Sequence, residues 1–211
     1  MKEIYPNLWQ TKLEIPFGSV NAHAYLLRLP EGNLMIYSTG HAEEIAHIAK
    51  MGGIKYQYLS HRHEAGASLE TIKREFSSKL CCGEKERAAI SELCEVDLTF
   101  SENTRHFADI EIIPTPGHTD GSTSFLYKSP SGQKFLFTGN TLLQSHGQWH
   151  TIVSSDEGGR SESLIESLQK YRELDHDVVL WSASRGPKSF VETTEAQWKE
   201  DIDNVIAKLR G

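Results

Sequence analysis

The sequence contains no run of about 18 apolar residues, so no membrane-spanning helix is expected from it. Its first residues, Met1-Lys2-Glu3-Ile4-Tyr5-Pro6, lack an apolar secretory region and lead directly into foldable sequence, which makes a cytoplasmic location the expectation. Basic residues are also scarce. Lys and Arg total 22 against 29 Asp and Glu, a net charge of −7, with no dense basic cluster. Nucleic acid is therefore a poor partner on electrostatic grounds. Cysteine is rare and odd in number. Cys81, Cys82 and Cys94 form neither a disulfide framework nor a zinc-type spacing and read as small core-filling thiols. Low-complexity stretches, linkers and short repeats are absent from the 211 residues, which read as one domain over 1–211 made of two pseudo-related halves.

What is present is an alternation of short apolar runs and helical stripes. Residues 20–29 and 34–37 flank Pro30-Glu31-Gly32, a hairpin pattern. Ala42, Ile45, Ile48 and Ala49 share a helical face, and Gly52-Gly53 closes that helix. Strands are expected at 56–59, 80–82, 110–113, 124–127, 134–138 and 178–181. Helical stripes are expected around Leu69, Ile72 and Phe76, over 84–93, and around Leu164, Leu168 and Tyr171. The last stripe, Trp198, Ile202, Val205, Ile206 and Leu209, begins at a Thr193 or Thr194 cap. Hairpins mixed with helix crossovers predict mixed rather than doubly wound parallel sheets.

Ten histidines are spread along the chain, and three of them fall where a strand ends. His61 and His63 follow the strand at 56–59, and an extended His61-Arg62-His63 segment would turn both imidazoles to one side. His118 follows the strand at 110–113 through the sharp turn Pro116-Gly117. Three histidines plus a water complete a tetrahedral zinc site with one open position. His146 and His150 read as surface-loop residues, with lining of the pocket, one of them as an extra ligand, as the alternative; His23 reads as a strand residue with the same alternative.

In this pattern the chain resembles the metallo-β-lactamase superfamily, in particular its short hydrolases of the glyoxalase II-like kind. The resemblance rests on Thr39-Gly40, the histidine loop, Pro116-Gly117-His118-Thr119 with Gly121-Ser122, Thr138-Gly139-Asn140, and Ser184-Arg185-Gly186-Pro187, all in family order. It implies an α/β fold of the α+β type: an αββα sandwich of two mixed β-sheets with outer helices. It also implies His61, His63 and His118 as ligands of one metal. The ligands of the family's second metal are replaced: Ala65 and Gly66 stand for an Asp and a His, Asn140 for the bridging aspartate, Arg185 for a late histidine, and Ser38 for an early aspartate. Alanine and glycine offer no ligand atom, and arginine brings a permanent positive charge.

One zinc ion or none is thus expected, with iron disfavoured because Asn140 cannot supply its carboxylate ligand. Glu64, Asp120, Asn140 and Arg185 are the expected pocket residues, Arg185 pointing to the vacated second-metal region. Two functions stay open. One is a hydrolase-like protein acting weakly, if at all, on a small ester, thioester or phosphoester. The other is a non-catalytic descendant of the fold that binds a small molecule or a protein.

Overall fold

The computed structural model describes residues 1–17, 20–184 and 188–211. The first half runs β1 (Lys2–Tyr5), β2 (Leu8–Gln10), β3 (Glu14–Phe17), β4 (Val20–Ala22), β5 (Tyr25–Leu27), β6 (Leu34–Ile36), α1 (Ala42–Lys50), β7 (Tyr56–Tyr58), α2 (Ser68–Phe76), β8 (Lys79–Gly83), α3 (Arg87–Ser91) and β9 (Leu98–Phe100). The second runs β10 (Thr104–His106), β11 (Ile110–Pro114), β12 (Thr123–Lys128), β13 (Lys134–Phe137), β14 (Leu143–Ser145), β15 (Gln148–His150), α4 (Ser161–Glu173), β16 (Val178–Leu180), β17 (Ala183–Ser184), β18 (Phe190–Glu192) and α5 (Glu195–Arg210).

Each half contributes one mixed sheet. The first has the order β1-β2-β5-β6-β7-β8-β9, antiparallel up to β6 and parallel from β6 to β9, where helices α1 to α3 make the crossovers. The second has the order β10-β11-β12-β13-β16-β18, with β13 and β16 parallel across α4 and the other pairs antiparallel. Strand periodicity places the two faces. Phe135, Phe137, Val178 and Leu180 turn inward and join Leu8, Tyr25, Leu27, Ile36 and Tyr58 of the first sheet in one buried cluster. Leu136 and Val179, one residue out of phase, turn outward onto Leu164, Leu168 and Tyr171 of α4 and Trp198 and Ile202 of α5. Leu80 and Cys82 do the same for Leu69 of α2 and Ile90 of α3. This is the αββα sandwich that the resemblance implied.

Local expectations held where a strong pattern existed. Gly53 closes α1 at φ +73°, its N–H bonded to the Ile48 carbonyl at 3.0 Å. Thr194 caps α5, its hydroxyl accepting from the Gln197 N–H. Two expectations changed. Residues 20–29 are not one strand: the chain bends at His23, whose N–H bonds the Ser182 carbonyl, so β4 joins the small sheet β17-β4-β3 while β5 stays in the large one. Residues 84–93 are a 3-10 turn over Glu84–Glu86 followed by the short α3, because the Glu86 side chain is drawn into the interior. No helix among the described residues is long and apolar enough to cross a membrane.

Candidate metal centre

His61 sits two residues beyond the buried Leu59 that ends the β7 run, with extended backbone (φ −164°, ψ 168°). The chain then tightens into a 3-10 turn at Arg62–Glu64. The expected extended alternation is therefore replaced by a turn, which brings His63 back over His61. His118 follows β11 through Gly117, whose φ is +143°. A Cβ at Gly117 would lie 2.5 Å from the Leu164 backbone, so only glycine lets this loop rest on α4.

The three imidazoles converge. Ring centroids are 4.6 Å (His61–His118), 5.1 Å (His63–His118) and 5.2 Å (His61–His63) apart, with the planes near perpendicular. One nitrogen from each lies within 4.8 Å of the others. His61 and His118 are buried, and His63 is at the rim.

The outward nitrogens settle the tautomers. His118 Nδ1 faces the Ile152 carbonyl at 3.0 Å, which can only accept, so Nδ1 carries the proton and Nε2 a lone pair. His63 Nε2 contacts the Glu157 carboxylate, which in a neutral imidazole leaves the lone pair on Nδ1. His61 Nδ1 is 2.8 Å from Ser60 Oγ and 3.2 Å from Glu64 Oε1. Ser60 Oγ donates its hydrogen to that same carboxylate at 2.6 Å, so it accepts from His61 Nδ1. His61 Nε2 is then bare, and it is buried without a partner. His63 Nδ1 and His118 Nε2, both lone-pair acceptors, face each other at 3.1 Å.

With all three rings neutral, two acceptors in contact and one buried orphan are unfavourable; an unpaired buried acceptor alone costs about 1–3 kcal/mol. A cation among the three nitrogens removes both penalties. Nitrogens bound tetrahedrally at about 2.0–2.1 Å stand roughly 3.3 Å apart; His63 Nδ1 and His118 Nε2 are 3.1 Å apart, and all three nitrogens lie within 4.8 Å of one another. The donor set thus fits a divalent ion. Burial, followed by the neighbouring His61, pushes His118 down to about 3, so it stays neutral and available as a ligand near neutral pH.

A second group of residues holds the two histidine loops together. The Glu86 carboxylate, fully buried, accepts from the Arg62 backbone N–H (2.8 Å) and Nε (2.6 Å), Thr119 Oγ1 (2.6 Å) and the Gly121 N–H (3.1 Å). It therefore ties the His61–His63 turn to the His118 loop. Its hydrogen bonds are the main reason that Arg62 is held above its ordinary value. Nothing in the sequence pattern marks Glu86 or Glu157.

The centre opens into a cavity of about 1450 Å³. Asn140 lines it, accepting from Ser182 Oγ at 3.0 Å. Glu64 lines it too, but its carboxylate is turned back onto Ser60 and His61. Asp120 is not among the lining residues: its carboxylate pairs with the Arg62 guanidinium at 2.7 Å instead. His23, His146 and His150 all line the cavity, the alternative to the plainer strand or loop reading of the sequence. The β14–β15 hairpin, unmarked in the sequence, brings in the last two. Arg185 lies outside the described residues.

Comparison with known proteins agrees with this architecture. A metallo-β-lactamase from Pontibacter korlensis superposes with a TM-score of 0.75 at 18% identity, over 100% of this chain and 98% of its own. The Cronobacter sakazakii metallo-β-lactamase with a HARLDQ motif, as its S60 mutant, gives 0.74 at 16% identity, over 99% and 92%. At such identities the common property is the fold. The chain has the metallo-β-lactamase fold, with a three-histidine cluster at the mouth of its sandwich. In sequence it is similar to a hydroxyacylglutathione hydrolase from Pectobacterium atrosepticum, a member of the same superfamily, with 30% identity over 148 residues. That match covers 69% of this chain, which spans about half the length of the relative (53%). No family model matches the chain.

Proposed function

We propose that this protein is a hydrolase-like member of the fold, with one divalent metal on His61, His63 and His118, zinc in first place, and a small ester or thioester as its substrate. The observation that carries this reading is the convergence of three bare ring nitrogens whose opposite nitrogens are each fixed by an acceptor. When bound, a divalent ion supplies Lewis-acid polarisation of a carbonyl oxygen. Ala65 and Gly66 bring no ligand atom to a second ion, and the Asn140 amide is neutral and engaged with Ser182.

The chain's own residues select the substrate. Ile45, Leu143, Ile152 and Val153 give the cavity apolar walls, and Ser38, Ser68, Thr71 and Asn140 give it neutral polar ones. Glu14 and Glu64 line it as well, and their negative charge favours an uncharged ester or thioester over a phosphoester.

Proton handling points to slow turnover. The lining carboxylates are Glu14 and Glu64. Glu14 is occupied by Thr39 and the Gly40 N–H, and Glu64 by Ser60 and His61. Neither is placed to orient an attacking water. The same observation supports the second reading, a binding protein that keeps the pocket without the reaction.

Hydrolysis of a short-chain nitrophenyl ester and a simple thioester, with zinc and with chelator, tests the proposal. Slow, zinc-dependent hydrolysis abolished by His118→Ala is expected. Activity that persists in chelator or in His118→Ala would refute it.

A further inference from the structure

We propose that Glu64 and Glu157 are the positioning residues of the metal centre, each fixing the outward nitrogen of one ligand histidine and together supplying the negative charge that three neutral imidazoles lack. This rests on the three-histidine reading above.

Three observations support it. First, both carboxylates are held in place. Glu64 accepts from the Ser60 N–H at 2.7 Å and from Ser60 Oγ at 2.6 Å, and its side chain is only 7% exposed. Glu157 accepts from Ser154 Oγ at 2.7 Å, and its turn is docked by backbone bonds: Asp120 N–H to the Glu157 carbonyl (3.2 Å) and Ser154 N–H to the His118 carbonyl (2.8 Å). Second, each addresses the nitrogen that points away from the cluster, Glu157 directly at His63 Nε2 and Glu64 through Ser60 Oγ, with its Oε1 also 3.2 Å from His61 Nδ1, the arrangement by which a carboxylate fixes a ligand imidazole's tautomer and raises its basicity. The remaining histidine, His118, has the Ile152 carbonyl in the same role. Residues 152–157 thereby serve two of the three ligands. Third, a divalent cation on neutral histidines brings two positive charges into a partly dry cavity, and these two carboxylates are the ones that meet the ligand imidazoles. Arg62, the nearby cation, is held by Glu86 and Asp120 instead.

The test is the zinc dissociation constant by competition with a chromophoric chelator, for wild type, Glu64→Gln, Glu157→Gln, Glu157→Ala and Asp120→Asn, beside the visible spectrum of each cobalt-loaded protein. Loss of an outer-shell partner costs about 10- to 100-fold in metal affinity, and that loss is expected for Glu157→Ala and Glu64→Gln, with less for Glu157→Gln. Asp120→Asn removes the same charge from a carboxylate that touches no histidine, and should leave affinity near wild type. Glu157 lies on a partly exposed turn, so its metal-free variants should melt with the wild type. Wild-type affinity and cobalt spectrum in Glu157→Ala would overturn the proposal while leaving the three-histidine site intact. An equal loss in Asp120→Asn would also overturn it, reducing the effect to general charge. A wild type that binds no zinc would remove the site itself.

Discussion

Truncating Glu86 to alanine should release the two histidine loops from each other. The carboxylate is fully buried and takes hydrogen bonds from Arg62, Thr119 and Gly121. Its loss leaves the Thr119 hydroxyl and the Arg62 and Gly121 N–H groups without that acceptor, and the Arg62 guanidinium without its nearest anion. Removing one partner of a buried ion pair typically costs about 3–5 kcal/mol. Arg62 keeps Asp120 at 2.7 Å and is itself 19% exposed, which places the expected cost at the low end. A loss of about 3 kcal/mol corresponds to a fall of roughly 6–12 °C in melting temperature for a chain of this size. Thermal unfolding in chelator isolates this from metal binding, which would otherwise add its own stabilisation. Glu86→Gln keeps the volume and one acceptor but sets an NH₂ group among donors, so its loss should be intermediate. A shift below about 2 °C for Glu86→Ala would refute the latch.

Three further outcomes are expected. Gly117→Ala should cost at least about 3 kcal/mol in urea unfolding, because the new Cβ meets the Leu164 backbone at 2.5 Å and the backbone angle disfavours any side chain; a wild-type midpoint would contradict the role given to that turn. The variant that restores all four ligand types, Ala65→Asp, Gly66→His, Asn140→Asp and Arg185→His, should raise zinc stoichiometry from one toward two by elemental analysis. A Cβ at Gly66 meets nothing within 4 Å, so within the histidine loop the stability cost should come from Ala65, which packs on the Leu59–Leu69–Leu80 cluster; an unchanged single ion would contradict the assignment of the lost second site to these four positions. His176 is held below its ordinary value by burial, so the folded protein takes up its proton less readily than the unfolded chain. Its contribution is complete above about pH 6.5 and is lost as pH falls below that, so His176→Phe should flatten the decline in urea midpoint between pH 7.5 and 5; an unchanged slope would assign the acid sensitivity elsewhere.

How far the sequence could be read depended on the range over which each signal acts. The α1 stripe of Ile45 and Ile48 and the α5 stripe of Trp198, Ile202 and Val205 are periodic over several turns and announce themselves. His61, His63 and His118 were legible because each follows a strand end, one of them behind a Pro-Gly turn. The strands β1, β2, β3, β9, β10, β14, β15, β17 and β18 were not, since each is four residues or fewer and carries little apolar alternation. Glu86 and Glu157 left no trace because their partners are distant in the chain and a lone glutamate has no local pattern. Asp120 misled for a related reason. Its place beside His118 suggested the pocket, while Arg62, supplied by the other loop, draws it away.

The central claim, one metal held by three histidines, is tested most directly by elemental analysis after equilibrium dialysis against zinc, wild type beside His118→Ala. The account predicts one zinc per wild-type chain and none retained by His118→Ala. Two zinc ions in the wild type, or one retained by the variant, would contradict it.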